Sequence, residues 1–290
     1  MFKYAGVVVL YNPDCEVKKN IDSYINNIDK LFVIDNSDNV NKDIVNGLKK
    51  NEKVAYVYLD GNKGLAKALK IGCEMAQNNG FNYVLTMDQD SIFDEGAVDT
   101  IIEFIEKSKE HYSIVGANAV SVYIDEKTGE KMEAYTELAN GNKECNWVMT
   151  SGSMMDINDY FQTNGFDENM FIAHVDIDIC IQLHNMGGKI IKLKDAKLFQ
   201  QFGNSKPRRI LWKVVHPSFA NPIRTYYLFR NQKYLEIKYG NEIKKFINVH
   251  LYKFIIKVIL FENLKMKKLI YAVKGYLDAR SHKMGKKYLS

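Results

Sequence analysis

Tyr83-Val84-Leu85-Thr86-Met87-Asp88-Gln89-Asp90-Ser91 is an apolar run that stops on two acids. Tyr83–Met87 is predicted as a strand, and the carboxylates of Asp88 and Asp90, two residues apart at its end, point the same way. Two carboxylates on one side repel each other unless a cation lies between them. Oxygen donors of this kind suit Mg²⁺ or Mn²⁺, which take one or two carboxylates together with substrate phosphates and water. Upstream, Tyr4–Tyr11 is a hydrophobic run ending at Asn12-Pro13-Asp14, with Asp14 expected to cap a helix built on Val17, Ile21, Tyr24, Ile25 and Ile28. Lys30–Ile34 ends in Asp35-Asn36-Ser37-Asp38, and Val54–Leu59 ends in Asp60-Gly61-Asn62. Leu65, Ala68, Leu69, Gly72, Cys73 and Ala76 then repeat at helical spacing before the quoted strand, and Ile114–Ala119 makes a fifth strand. Strands alternating with helices imply parallel pairing and an open α/β sheet covered on both faces. Ligands of such sheets sit beyond the carboxyl ends of the strands, where four polar clusters in succession gather here.

Composition excludes other classes. The chain has 290 residues, 46% hydrophobic and 26% charged with 4 Pro, so neither disorder nor a collagen-like repeat is in question. Four cysteines without a CxxC pair suggest reduced thiols in a cytosolic protein, and with Met1 running into a strand-like segment without a basic n-region no signal peptide is expected. The apolar stretch Phe254–Phe261 contains Lys257 and is too short to span a bilayer. The net charge of +5 hides a division: from Lys206 onward 20 Lys and Arg face 4 acids, whereas the first 205 residues hold 20 Lys and 31 acids. An acidic body with a basic tail suggests that the tail meets phosphate or an anionic surface.

Farther along, Val120–Glu144 is charged and irregular, Trp147–Met149 is predicted as a strand leading into Thr150-Ser151-Gly152-Ser153, and Asp156–Thr163 and Asp176–Met186 as helices. A strand at Ile190–Leu193 precedes a basic loop, Gln200–Pro217, after which the chain is predicted helical from Asn221. Asp176 and Asp178 open their helix, where acids complement the dipole and where a carboxylate can also act as a general base; only one needs that role, and Asp178 is left to cap or orient. Arg224, Tyr227 and Asn231 share a helix face at i,i+3 and i,i+4 spacing, with Arg230 offset. Arginines set among tyrosines can clamp a diphosphate, and an ordinary amphipathic helix has the same pattern.

Taken in order, these residues resemble an inverting family-2 glycosyltransferase of the GT-A fold, and within it the bacterial rhamnosyltransferase branch, from Val7 to about Lys287. The opening strand Val7–Pro13, Val33-Ile34-Asp35-Asn36-Ser37, the N-x-G-x-A-x-A segment Asn62–Ala68 and Asp88-Gln89-Asp90-Ser91 carry the likeness. So do Phe171-Ile-Ala-His-Val-Asp176, His216, and Pro222-x-Arg224-x-Tyr226-Tyr227-x-x-Arg230-Asn231. The resemblance implies an α/β, Rossmann-like GT-A domain at residues 1–217 and a basic helical extension at 218–290 packed on it. It implies a nucleoside-diphosphate sugar held by Tyr11, Asn12, Asp35, Asn36, Asn62, Gly64, Asp88, Gln89, Arg224, Tyr227 and Arg230. Asp88 and Asp90 would hold Mn²⁺ or Mg²⁺, Asp176 would be the catalytic base, and Trp147, Ser151, Gly152 and His174 would lie on the acceptor side. Gln182 stands where the family usually has Arg. Gln200 and Gly203 stand where many members carry His and Gly, so no His ligand is expected from that loop and the third metal ligand stays open.

The donor implied is dTDP-β-L-rhamnose and the acceptor a glycan, lipid-linked, on the cytoplasmic face of the membrane, with a UDP-sugar as the alternative donor. The Lys-rich C-terminal helices suit an anionic leaflet, and a dimer or core interface with a solvated Lys face is the other use for them. A phosphatase with a D-x-D nucleophile would place that motif after the first strand, whereas here it follows the fourth. A nucleic-acid-binding protein would fit the basic tail, yet no nucleic-acid motif is present and the acidic body would repel the backbone, so no nucleic acid is expected.

Overall fold

The seven apolar residues Tyr4–Leu10 form β1, buried on both faces: Ala5, Val7 and Val9 join one core cluster, and Tyr4, Val8 and Leu10 the other. That double burial makes β1 an interior strand of a covered sheet. The computed structural model describes residues 2–124, 131–200, 208–210, 213–215, 220–247 and 251–288. After β1 come α1 (Glu16–Asp22), β2 (Lys30–Asp35), α2 (Lys42–Leu48), β3 (Val54–Tyr58), α3 (Leu65–Asn78) and β4 (Tyr83–Asp88). Then follow β5 (Ser91–Phe93), α4 (Ala97–Lys107), β6 (Ile114–Ile124), β7 (Lys131–Thr136), β8 (Lys143–Glu144), β9 (Ser153–Asp156), α5 (Ile157–Gln162), α6 (Val175–Asn185) and β10 (Ile190–Gln200). A short antiparallel pair, β11 (Arg208–Ile210) and β12 (Lys213–Val215), precedes α7 (Pro222–Tyr239), α8 (Leu251–Phe261) and α9 (Lys265–Arg280).

The main sheet runs β3-β2-β1-β4-β9-β6-β10-β5, with β7 on β6 and β8 on β10. β1 pairs parallel with β2 on one side and with β4 on the other, so the chain steps outward to β3 and returns across β1. The carboxyl ends of β1 and β4 therefore flank the switch point where a ligand crevice opens. Helices cover both faces. Ala66, Leu69 and Cys73 of α3 and Ile177, Ile181 and Leu183 of α6 pack on one, and Val17, Ile21, Leu48, Val98 and Ile101 on the other. Leu235, Ile243 and Phe246, from the C-terminal region, bury themselves in the first of these clusters.

Several local expectations are corrected. Trp147–Met149 is irregular chain; the strand there is β9, which starts after the left-handed Gly152 (φ 78°) and runs antiparallel between β4 and β6. The irregular stretch begins later than Val120, because β6 continues to Ile124 and turns back as β7. β10 extends past Leu193 to Gln200: its register on β6 shifts between Lys192 and Lys197, and beyond the shift it also pairs with β5. Cys15, not Asp14, is the N-cap residue of α1, and Asp14 instead accepts a hydrogen bond from the Glu16 amide at 2.9 Å. Among the described residues no helix is long and apolar enough to cross a membrane.

Candidate functional site

At the switch point Asn12 leaves β1 with a positive φ of 47°. The Gln89 side chain clasps this exit from both sides, its Oε1 accepting from the Tyr11 amide at 2.8 Å and its Nε2 donating to the Tyr11 carbonyl at 3.1 Å. Expected on the nucleotide, the Gln89 amide is instead engaged in tying the ends of β1 and β4 together. Beside it the ends of β2 and β3 form a polar shelf. Asp35 is buried and accepts from Tyr56 Oη at 2.7 Å and from the Ser37 amide at 3.0 Å. Asn36 Nδ2 donates to Asn62 Oδ1 at 3.1 Å, and Asn36 Oδ1 accepts from the Lys63 amide at 2.6 Å. Tyr11 Oη reaches Asp38 at 3.3 Å. Gly64 (φ 97°) has a further reason to lack a side chain, because a Cβ there would stand 2.6 Å from the ring of Phe171. The adjoining Leu65 amide donates to the Phe171 carbonyl at 2.6 Å, so the start of α3 is braced on the loop that precedes α6.

Asp88 ends β4 and Asp90 follows in the turn. Ser151 fixes this turn from below, its hydroxyl accepting from the Asp88 amide at 3.1 Å and donating to Ser91 Oγ at 2.8 Å. Gly152 allows the approach, since a Cβ would sit 2.8 Å from Leu198. Ser151 and Gly152, expected on the acceptor side, thus support the backbone of the acidic turn. Gln200, at the end of β10, donates from one Nε2 to Asp88 Oδ2 at 2.9 Å and to Asp90 Oδ1 at 3.4 Å. Burial, and then the charge of Asp90, push the Asp88 carboxyl up to about 6, and burial raises Asp90 as well.

The loop into α6 is strained: Phe171, Ala173 and His174 all have positive φ, at 62°, 72° and 59°. It delivers Asp176 to the first turn of α6, where Asp176 Oδ1 accepts from the Ile177 amide at 3.0 Å. A helix N-terminus alone would lower an acid's pKa; here burial dominates and raises Asp176 to about 6. The negative charge of Asp176 is felt at Asp88, and the exposed Arg224 acts on Asp88, Asp90 and Asp176 in the opposite sense. The charge of one cationic side chain therefore acts on all three acids. Lys192 also offsets the Asp176 charge, and its Nζ lies 5.2 Å from the centre of the Trp147 ring. His174 is held near pKa 4 by burial and is neutral at pH 7, with Nδ1 shielded and without a partner among the described residues.

Tyr227 and Arg230, expected on the nucleotide, point inward and are fully buried. Tyr227 Oη accepts from the amides of Lys287 and Tyr288 and donates to the Tyr288 carbonyl. The Arg230 guanidinium donates to the carbonyls of Gly285, Asn169 and Met170, and Asn231 Nδ2 donates to those of Met170, Ile172 and Ala173. This part of α7 is a scaffold for the loop that delivers Asp176. Asp178 is buried and engaged too: Lys238 and Tyr239 reach its Oδ1 at 2.8 Å each, and Gln182 Nε2 its Oδ2 at 2.7 Å. Gln182 thereby links Asp178 to the chain before α6, accepting from the Asn164 amide at 2.9 Å. His216 lies outside the described residues.

Sequence reasoning missed Lys192 and the contact of Gln200 with both acids. For Lys192 the signal was a lone Lys inside an apolar run; for Gln200 only the strand's true length would have exposed it. Among the described residues no three His, Cys, Asp or Glu side chains form a metal cage. Two mutually repelling carboxylates, Asp88 half-buried and Asp90 exposed, and a buried amide oxygen without a partner among the described residues nevertheless make an oxygen-rich donor set that fits Mg²⁺ or Mn²⁺.

Comparison with known proteins identifies the family. Residues 7–178 match the family described as Glycosyl transferase family 2. The chain is 25% identical over 243 residues to the dTDP-rhamnosyl transferase RfbF of Shigella flexneri, covering 78% of this chain and 77% of that protein. In fold it resembles S. aureus TarS residues 1–349 in complex with UDP-GlcNAc (TM-score 0.61, 15% identity, 96% of this chain and 81% of the other). A longer TarS structure gives a TM-score of 0.57 at 14% identity, over 90% of this chain and only 44% of that one. GalNAc-T7 with UDP, GalNAc and Mn²⁺ gives 0.60 at 12% identity, over 97% of this chain and 56% of the other. The match over residues 7–178, on a GT-A-like sheet whose acids converge at the switch point, places the chain in glycosyltransferase family 2.

Proposed function

We propose that this glycosyltransferase moves L-rhamnose from dTDP-β-L-rhamnose to a hydroxyl of a lipid-linked glycan, with inversion. The observation that carries the reading is the meeting of Asp88, Asp90 and Asp176 under Arg224 at the sheet's switch point. The likeness to a dTDP-rhamnosyl transferase supports the choice of sugar. The base and ribose of the donor lie along Tyr11, Asn12, Asp35, Asn36 and Asn62, and Arg224 meets the diphosphate. A divalent cation at Asp88 and Asp90, when bound, supplies positive charge to the departing diphosphate. The Asp176 carboxylate takes the proton from the acceptor hydroxyl, whose oxygen forms the bond to the anomeric carbon from the opposite face. The bond from that carbon to the phosphate oxygen breaks, and its electron pair leaves with dTDP. Trp147 and His174 line the acceptor side, and no covalent intermediate forms. We also place the protein on the cytoplasmic face of the inner membrane, held by α8 and α9.

Calorimetry with dTDP, UDP, GDP and their sugars, with and without Mn²⁺ or Mg²⁺, tests this directly. Metal-dependent binding of dTDP-rhamnose that is lost in Asp90→Ala is expected. Preference for UDP would keep the family and replace the sugar, in line with the UDP-GlcNAc bound by TarS. An anomeric product of retained configuration would overturn the mechanism.

A further inference from the structure

The terminal amide of Gln200 is held in an unbalanced way. Its nitrogen donates to both acids, at 2.9 Å to Asp88 and 3.4 Å to Asp90, while its Oε1 is buried without a hydrogen-bond partner among the described residues. The residue is only 7% exposed, so water does not supply the missing donor. Amide nitrogen and oxygen are nearly the same size, and the terminal torsion that exchanges them is broad and two-fold. Between two bare carboxylates the NH₂ must face inward, because an oxygen there would be a third negative dipole end. A divalent cation in the same place reverses the preference: it repels the NH₂ and attracts the oxygen.

We propose that Gln200 is the third protein ligand of the cation held by Asp88 and Asp90, its amide turning through half a circle so that Oε1 coordinates the metal. This rests on the reading of Asp88 and Asp90 as a cation site. The turn carries the NH₂ to the space that Oε1 now occupies. The protein donor set becomes two carboxylates and one amide oxygen, hard ligands that leave positions open for the diphosphate. The position is placed well for this task. β10 reaches it only because the strand re-pairs beyond the Lys192 to Lys197 shift, and the antiparallel pairing of Gln200 with Ser91 sets it beside the acidic turn.

Titration of the full-length protein with Mn²⁺ in the presence of dTDP, followed by electron paramagnetic resonance of the free ion, measures the affinity without any turnover. Gln200→Leu is expected to weaken Mn²⁺ binding about 10–100-fold, and Gln200→Glu to retain it. Gln200→His guards against a folding artefact: with Mn²⁺ bound, pulsed resonance is expected to detect a directly coordinated imidazole nitrogen. Wild-type affinity in Gln200→Leu, or no nitrogen coupling in a Mn²⁺-loaded Gln200→His protein, overturns the Gln200 assignment and leaves the two-aspartate site standing. Absence of Mn²⁺ binding by the wild type removes the cation site itself, and Gln200 with it.

Discussion

Asp176 ties the proposed chemistry to stability through one side chain. Its pKa is raised from 3.8 to about 6 by burial, so the folded protein holds this proton through a range in which the unfolded chain has released it. The stability it contributes is complete below about pH 4 and is lost as pH rises through about 6. Replacing it by Asn, which never ionises, is expected to raise the Tm at pH 7 relative to wild type and to leave the two alike at pH 4. The same carboxylate is the proposed base and must be ionised to work, so kcat/KM is expected to rise through about pH 6 and then level off. Asp176→Asn is expected to lower kcat by roughly 10²–10⁴-fold and to abolish that acid limb; a variant with wild-type transfer would refute the assignment. The acidic positions were legible because strand ends and helix starts can be read from periodicity. Which way Arg230 points was not, since an arginine on a helix reads alike whether it caps buried carbonyls or reaches into solvent.

At the scale of the element, α7 carries an unexpected burden. Arg224 faces the acids from its first turn, while Arg230 and Asn231, two turns on, hold five carbonyls from the loop before α6 and from the C-terminal tail. The loop before α6 keeps three positive-φ residues in place only because such donors over-determine it. Arg230→Met is therefore expected to reduce the unfolding free energy by ~3 kcal/mol, by stranding buried carbonyls, and to lower kcat through misplacement of Asp176. Denaturant unfolding and dTDP calorimetry separate the readings: unchanged stability with lost dTDP affinity would return Arg230 to the nucleotide. The parallel half of the sheet was legible because β1 to β4 are separate apolar runs, each closed by a polar turn. The centre was not. β9 is four residues long with only two apolar residues, enters from a glycine turn and runs against its neighbours, so the wholly apolar run Trp147–Met149 drew the assignment away from it. β10 was cut short for a similar reason, because its charged residues around Asp195 coincide with the register shift and read as the start of a loop.

For the whole molecule, the charge division of the sequence becomes a surface. On α9 the residues Lys268, Ala272, Gly275 and Ala279 turn inward, and Gly275 lets α9 lie directly against the backbone of α7 at Tyr226. The other face exposes Met266, Ile270, Val273 and Leu277 at the same helical spacing, with Lys265, Lys267 and Lys274 among them. On α8, Tyr252, Ile256, Ile259 and Leu260 are exposed beside Lys253. Apolar side chains left in water along two helices mark a docking surface, and Met266 is 71% exposed. A second copy of the chain would cover the apolar stripe, yet two-fold symmetry would bring the flanking lysines against each other. An anionic leaflet would cover the stripe and pair the lysines, each adding about 1 kcal/mol near the surface. The protein is expected to float with vesicles containing phosphatidylglycerol at low salt and to be released as ionic strength rises. Reversing Lys265, Lys267 and Lys274 to Glu is expected to abolish flotation while leaving dTDP affinity at the wild-type value, because the site residues lie on other elements. Met266→Ser together with Val273→Ser is expected to weaken binding at every salt concentration, the apolar part being insensitive to screening. Flotation that survives the triple reversal would discard the leaflet, and a concentration-dependent dimer lost in the serine variant would give the stripe to a second copy.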